Sequence, residues 1–213
     1  MRKAVVFDLD GTLVDSLADI RASFRHVLKQ AGYPEPDDAA MSRLIGRPLA
    51  EMFREAAPGA DESRLVAAFR DYYPEHLADH SRPYPGVPEL LAALGSAGYL
   101  RVVATTKKTP VAEKLVAAVG LEGLLDHVQG TDGLPPKPAP DVVLAALEAV
   151  GGQGLWMVGD TVHDIGAGRA AGLATYAVTW GNHDAATLAA AGPDRLEPDL
   201  GALGELLTER EAV

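Results

Sequence analysis

The chain of 213 residues contains no cysteine. Disulfides, thiolate nucleophiles and cysteine-built zinc sites are thereby excluded. It also lacks an apolar run long enough to span a bilayer, and its first residues enter a strand pattern rather than the hydrophobic stretch of a secretion signal. A soluble cytoplasmic protein with no membrane partner is the expectation. Basic residues are in the minority: Lys and Arg total 19 against 30 Asp and Glu, a formal charge of −11. No nucleic acid partner is expected, because gripping a phosphate backbone needs clustered cations. A small anion could be held only on a local island of positive charge, made by a metal ion and a few basic side chains. No Walker A lysine loop exists, and Gly166-x-Gly168 falls inside a helical pattern, not at the strand-to-helix turn of a dinucleotide site.

What is present is a hydrophobic fraction of 47%, enough for one large domain or one domain with an insertion. Short apolar runs at Ala4–Phe7, Leu100–Ala104, Leu155–Val158 and Ala174–Val178, with a weaker one at His127–Gln129, suit buried parallel strands. Helical patterns separate them at Val87–Ala97, Pro110–Val119, Pro140–Val150 and His163–Ala171, with Gly120, Gly151 and Gly172 as stops. Alternation of this kind predicts an α/β fold, a doubly wound parallel sheet of Rossmann-like type. One segment breaks the pattern. Between Ser16 and about Asp79 no strand is convincing, and Leu17–Ala31, Pro48–Ala56 and Glu62–Ala78 read as amphipathic helices. We expect a helical domain, residues 16–80, inserted into a core made of residues 1–15 and 81–213, with Ser81–Gly86 as the return linker. The tail from Gly192 reads as loop plus a short final helix.

Chemistry-bearing residues gather where strands end. Asp8 and Asp10 follow the first strand; as neighbours on one face they repel unless a cation or shared proton intervenes, and Gly11 allows a sharp exit. Thr105 ends the next clear strand and could hydrogen-bond a phosphoryl oxygen. Lys137 sits between prolines in Leu134-Pro135-Pro136-Lys137-Pro138, which fix the backbone and aim the side chain. Asp160 follows Leu155–Val158 and can ligate a metal; Asp164, near a helix start, is either ligand, neighbour of a ligand, or cap. Oxygen ligands without a His or Cys cluster point to Mg²⁺. His163 and His183 read as surface or supporting residues, Trp156 and Trp180 as packing.

Asp8-x-Asp10-Gly11-Thr12, Thr105, Lys137 and Gly159-Asp160-x3-Asp164, in that order, resemble the four motifs of the haloacid dehalogenase superfamily, mostly Mg-dependent phosphatases. The resemblance implies that Asp8 is the nucleophile that forms an aspartyl-phosphate and Asp10 the general acid and base. Thr105 and Lys137 would hold the transferring group, with Leu9 and Thr106 beside it and Leu9 acting through its N–H. Mg²⁺ would sit on Asp8, the Asp10 carbonyl and Asp160, with Asp164 as a further candidate. An acid at position 10 favours phosphomonoesters over haloacids and phosphonates. The helical insert resembles a C1 cap, and Gly46-Arg47 its substrate-contacting loop. Ile20 stands where a β-phosphoglucomutase would carry His. The Asp15-Ser16 pair and the Gly46-Arg47 loop look most like phosphoglycolate phosphatases. Pyrophosphatase, 5′-nucleotidase and mutase activities share the layout, as would a non-catalytic regulatory protein. The expected partner is a small phosphorylated metabolite; monomer and homodimer both stay open.

Overall fold

The structure is a computed structural model and describes residues 1–204. In chain order, β1 (Lys3–Phe7) and β2 (Val14–Asp15) lead into α1 (Leu17–Gln30), α2 (Asp38–Leu44), α3 (Leu49–Ala56) and α4 (Glu62–His76). The chain returns through β3 (Arg82–Pro83) and then alternates: α5 (Val87–Ser96), β4 (Leu100–Ala104), α6 (Thr109–Ala118), β5 (His127–Gln129), α7 (Asp141–Val150) and β6 (Gln153–Gly159). It finishes with α8 (Val162–Ala170), β7 (Ala174–Val178), α9 (Ala185–Ala190) and β8 (Arg195–Glu197).

Among the described residues, six strands form one sheet in the order β5-β4-β1-β6-β7-β8, every neighbouring pair parallel. This is the Rossmann-like α/β core expected from the alternating pattern. β1 lies near the centre because both its faces are apolar: Val5 and Phe7 belong to one buried cluster, Ala4 and Val6 to another. A strand covered on both faces reads as a continuous hydrophobic run. The first cluster continues without a break into the helical insert, where Phe24 stacks on Phe53 with ring centroids 4.3 Å apart.

Three features depart from the sequence reading. The insert has a further short helix, α2, whose Asp37 side chain accepts a hydrogen bond from the Ala40 N–H at 2.7 Å. The return linker is not plain loop: Val14–Asp15 pairs antiparallel with Arg82–Pro83, so the entry and exit of the insert form a two-stranded ribbon. The tail contributes β8 to the sheet edge, and residues 201–204 begin a helix. The rest of the expected final helix lies outside the described residues.

Asp19 closes this ribbon. Its carboxylate, almost fully buried, accepts hydrogen bonds from the backbone N–H groups of His80 and Ser81, from the Ser81 hydroxyl, and meets His80 Nδ1 at 2.8 Å. Burial works against the charged form, but the bonds from Ser81 and His80 outweigh it and hold the carboxyl below its usual range. Asp19→Asn should therefore destabilise the protein by about 1.5–3 kcal/mol at neutral pH, the range for hydrogen bonds to a charged group. A depressed carboxyl contributes stability above the unfolded value near ~3.9 and loses it as the pH falls through the folded one. The gap between variant and wild type, measured by denaturant unfolding, should close in acid. A gap independent of pH would remove the charge from the explanation.

Candidate active site

All parallel strands end on one edge, and the sheet order puts the ends of β1, β4 and β6 side by side. Asp8 follows β1 directly, and its N–H donates to Val158 O at 2.8 Å, which fixes the strand end against β6. Gly11 turns the chain at φ +83°, a left-handed value; a Cβ there would lie 2.4 Å from Asp160 Oδ2. Gly159 and Gly181 are equally constrained, since a Cβ would come within 2.2 Å of Asp164 and 2.3 Å of Asp160. The backbone is packed directly against the acids.

Asp8, Asp160 and Asp164 are buried, each offering a carboxylate oxygen within 4.8 Å of the others. Lys137 is the cation among them. Although only 5% exposed, its ammonium donates to Asp8 Oδ1 at 2.6 Å, to Asp164 Oδ1 and to Ala104 O at 3.0 Å. The charged neighbours Asp164 and Asp8 outweigh burial and keep Lys137 protonated. Burial pushes Asp8 well above the ordinary carboxylate range, Lys137 pulls it back, and the three other acids push it further up. Asp160 is raised to about 7, by burial first and by Asp164 second.

Asp160 accepts from Thr12 Oγ1 at 2.9 Å and from the Asn182 N–H at 2.7 Å. The amide of Asn182 in turn donates to Ser42 O and Ile45 O, both at 3.1 Å, across to the insert. Asp164 is a cap: it and Thr161 form a reciprocal capping box at the start of α8. Both of its oxygens are engaged, one by Lys137 and the other by the Thr161 N–H and hydroxyl.

Asp10 stands apart from this cluster. Ser16 Oγ donates to one of its oxygens, and Lys107 Nζ lies 2.8 Å from the other. Asp10, Thr106 and Lys107 border a cavity of about 180 Å³ between the sheet edge and the insert, and Gly46 and Arg47 line it too. Gly46 has φ +91°. Arg47 is satisfied inside the insert, 2.6 Å from Glu55 and 3.4 Å from Glu51, so an anionic ligand would have to draw it away from both. Thr105 is fully buried, and its hydroxyl accepts from the Lys107 N–H at 3.3 Å. The Leu9 side chain is core, and its carbonyl accepts from the N–H groups of Leu13 and Val14.

A family model described as haloacid dehalogenase-like hydrolase matches residues 5–178. The chain belongs to this family. It is 39% identical over 203 residues to the probable phosphatase IndB of Dickeya dadantii (strain 3937), spanning 91% of this chain and 88% of that one. It is 33% identical over 182 residues to a phosphoglycolate phosphatase of Aquifex aeolicus (strain VF5), spanning 84% and 85%. In fold it is similar to a haloacid dehalogenase-like family hydrolase from Streptococcus pneumoniae, with a TM-score of 0.87, 30% identity, and 96% and 98% of the two chains covered.

Haloacid dehalogenase-like phosphatases use Mg²⁺, and the donors here fit it. Three buried carboxylates lie together, and the one lysine among them bridges only Asp8 and Asp164. Oxygen-only donors are what a hard divalent cation takes, and such an ion would offset the charge that burial disfavours at Asp8 and Asp160. Four supporting residues went unread in the sequence. Thr12 and Ser16 were in view as part of a motif and of the Asp15-Ser16 pair, without a role. Lys107 had the signal of lying two residues past a strand end. Asn182 had none, because its partners are distant in sequence.

Proposed function

We propose that this haloacid dehalogenase-type phosphatase is a Mg²⁺-dependent phosphomonoester hydrolase that works through an aspartyl-phosphate on Asp8. One observation carries the reading. The two acids of the first motif sit in different surroundings, Asp8 inside the carboxylate cluster against Lys137, and Asp10 at the cavity against Lys107 and Ser16. Two acids with different neighbours suit two different roles.

In this reading, an Asp8 oxygen attacks phosphorus as the bond to the leaving oxygen breaks, and Asp10 gives that oxygen a proton. Asp10 then takes a proton from the water that attacks the acyl phosphate, releasing phosphate and restoring Asp8. Lys137 and the Thr105 hydroxyl hold the transferring group, and the Leu9 N–H faces it. Asp8, Asp160 and the Asp10 carbonyl would hold Mg²⁺; Asp164, already engaged by Lys137 and Thr161, orients the lysine instead. When bound, the ion supplies positive charge that offsets the nucleophile and the phosphoryl oxygens. Residues 16–80 act as a cap, and small phosphorylated metabolites are the substrate class. Phosphoglycolate, named for several relatives, is the first compound to try. Ile20 lines the cavity with an alkyl side chain that offers no acid or base for a mutase.

The test is phosphate release with and without metal. Activity should vanish in EDTA, return with Mg²⁺, and fall when Ca²⁺ competes, because Ca²⁺ takes more ligands at longer distance and misplaces the nucleophile. Rapid quenching with labelled substrate should trap phosphoenzyme that hydroxylamine discharges, as an acyl phosphate must. Turnover in EDTA, or label resistant to hydroxylamine, would reject the reading.

A further inference from the structure

The cavity beside Asp10 has a shape and chemistry of its own. Ile20 from α1, Met52 from α3, Phe69 from α4 and Val111 from α6 all line it. An apolar cavity of ~150 Å³ takes a benzene molecule, and this one measures about 180 Å³. A two-carbon acid would leave most of it empty. Lys107 is committed to Asp10 and Arg47 to Glu51 and Glu55, while Arg70 and Lys108, also in the lining, are exposed to water.

Tyr73 belongs to the same lining and is only 3% exposed. Its ring is held in place, stacked on Phe69 at 5.1 Å between centroids, with the Lys107 ammonium 4.6 Å from its own centroid. Its hydroxyl is buried, and the one polar group that interacts with it is the Lys107 ammonium, which can only donate, so the hydroxyl proton finds no acceptor among the described residues. A buried donor without an acceptor is destabilising, and phenylalanine would pack the same ring without that penalty. The fold therefore makes no use of the hydroxyl proton. Burial pushes its pKa up to about 12, so it is a hydrogen-bond donor throughout the neutral range.

We propose that Tyr73 determines specificity. Its hydroxyl donates to an acceptor oxygen on the leaving group, and the apolar chamber takes the rest of that group. The preferred substrate is then a phosphomonoester of an alcohol with a ring-sized apolar body and a second oxygen close to the ester, rather than the ester of a two-carbon acid. This rests on the phosphatase reading above.

The experiment compares kcat/KM for three esters with Mg²⁺ present: phosphoglycolate, 2-phenylethyl phosphate and 2-hydroxy-2-phenylethyl phosphate. All three have poor alkoxide leaving groups, so differences report recognition. Both phenyl esters should exceed phosphoglycolate, and the added hydroxyl should gain roughly tenfold, since a site built to bond a hydroxyl discriminates against the analogue lacking it. In Tyr73→Phe that gap should disappear, with the melting temperature equal to or above wild type. Met52→Trp, which fills the chamber, should shift the preference toward phosphoglycolate roughly tenfold, as pocket volume sets discrimination of apolar groups. If that variant does not fold, Tyr73→Phe decides alone. Phosphoglycolate as the fastest ester, or a gap that survives in Tyr73→Phe, would overturn the proposal while leaving the phosphatase intact. Phosphate release from none of the esters would overturn both.

Discussion

Asp8→Asn should yield a folded protein with less than about a thousandth of wild-type phosphatase activity. The amide has the shape of the carboxylate but no anionic oxygen to attack phosphorus. Folding should not suffer. The Asp8 N–H to Val158 O bond is untouched, and Lys137 keeps Asp164 and the Ala104 carbonyl as partners. One charge also leaves a cluster in which burial and neighbouring acids already disfavour it. In metal-free buffer the variant should melt at or above the wild-type temperature. Loss of activity with a raised melting point would separate chemistry from packing. Activity above that level, with mass spectrometry excluding deamidation back to Asp, would rule out Asp8 as the nucleophile.

Lys137→Met should do the opposite to stability. It leaves Asp8, Asp160 and Asp164 buried together without their cation. Removing one partner from a buried ionic cluster costs about 3–5 kcal/mol, and unfolding by denaturant in EDTA should register a loss of that order. The same variant should bind Mg²⁺ more tightly than wild type, because the acids it leaves are less neutralised. Activity should fall by about a hundred- to a thousand-fold, as when one preorganised charge-stabilising donor is lost. Weaker Mg²⁺ binding with unchanged stability would mean that Lys137 does not neutralise the cluster.

Much of this fold was legible in the chain. Leu100–Ala104 and Ala174–Val178 form strands with the bounds their apolar runs predict, as strands covered on both faces do. His127–Gln129 keeps its predicted bounds as a half-buried edge strand with Val128 its one apolar residue. β6 begins two residues early, at Gln153, because pairing with Lys3 and Ala4 across an irregular register recruits a Gln and a Gly that no hydrophobic pattern marks. α2 escaped notice because only Met41 and Leu44 of its seven residues are buried, too few to show a period. β2 and β3 are two residues each, one of them Pro83; they pair because the insert closes, not because of local preference. The site divides in the same way. Asp8, Asp10, Lys137 and Asp160 stand at strand ends or in a proline frame, where position alone marks a chemical use. Tyr73 lies unmarked within the helical pattern Glu62–Ala78, and the lack of an acceptor for its hydroxyl proton exists only in three dimensions.

Asn182 joins two parts of the molecule that the chain order keeps separate. Its main chain steadies Asp160, and its side chain holds the carbonyls of Ser42 and Ile45 in the insert. The insert cannot swing away from the sheet at this point as a free lid. It must either give up both amide hydrogen bonds or carry with it the residue that fixes an acid of the ion cluster. In the proposed reading, with residues 16–80 as a cap and Asp160 as a Mg²⁺ ligand, opening for product and loosening of the ion share one pin, so their rates should rise and fall together.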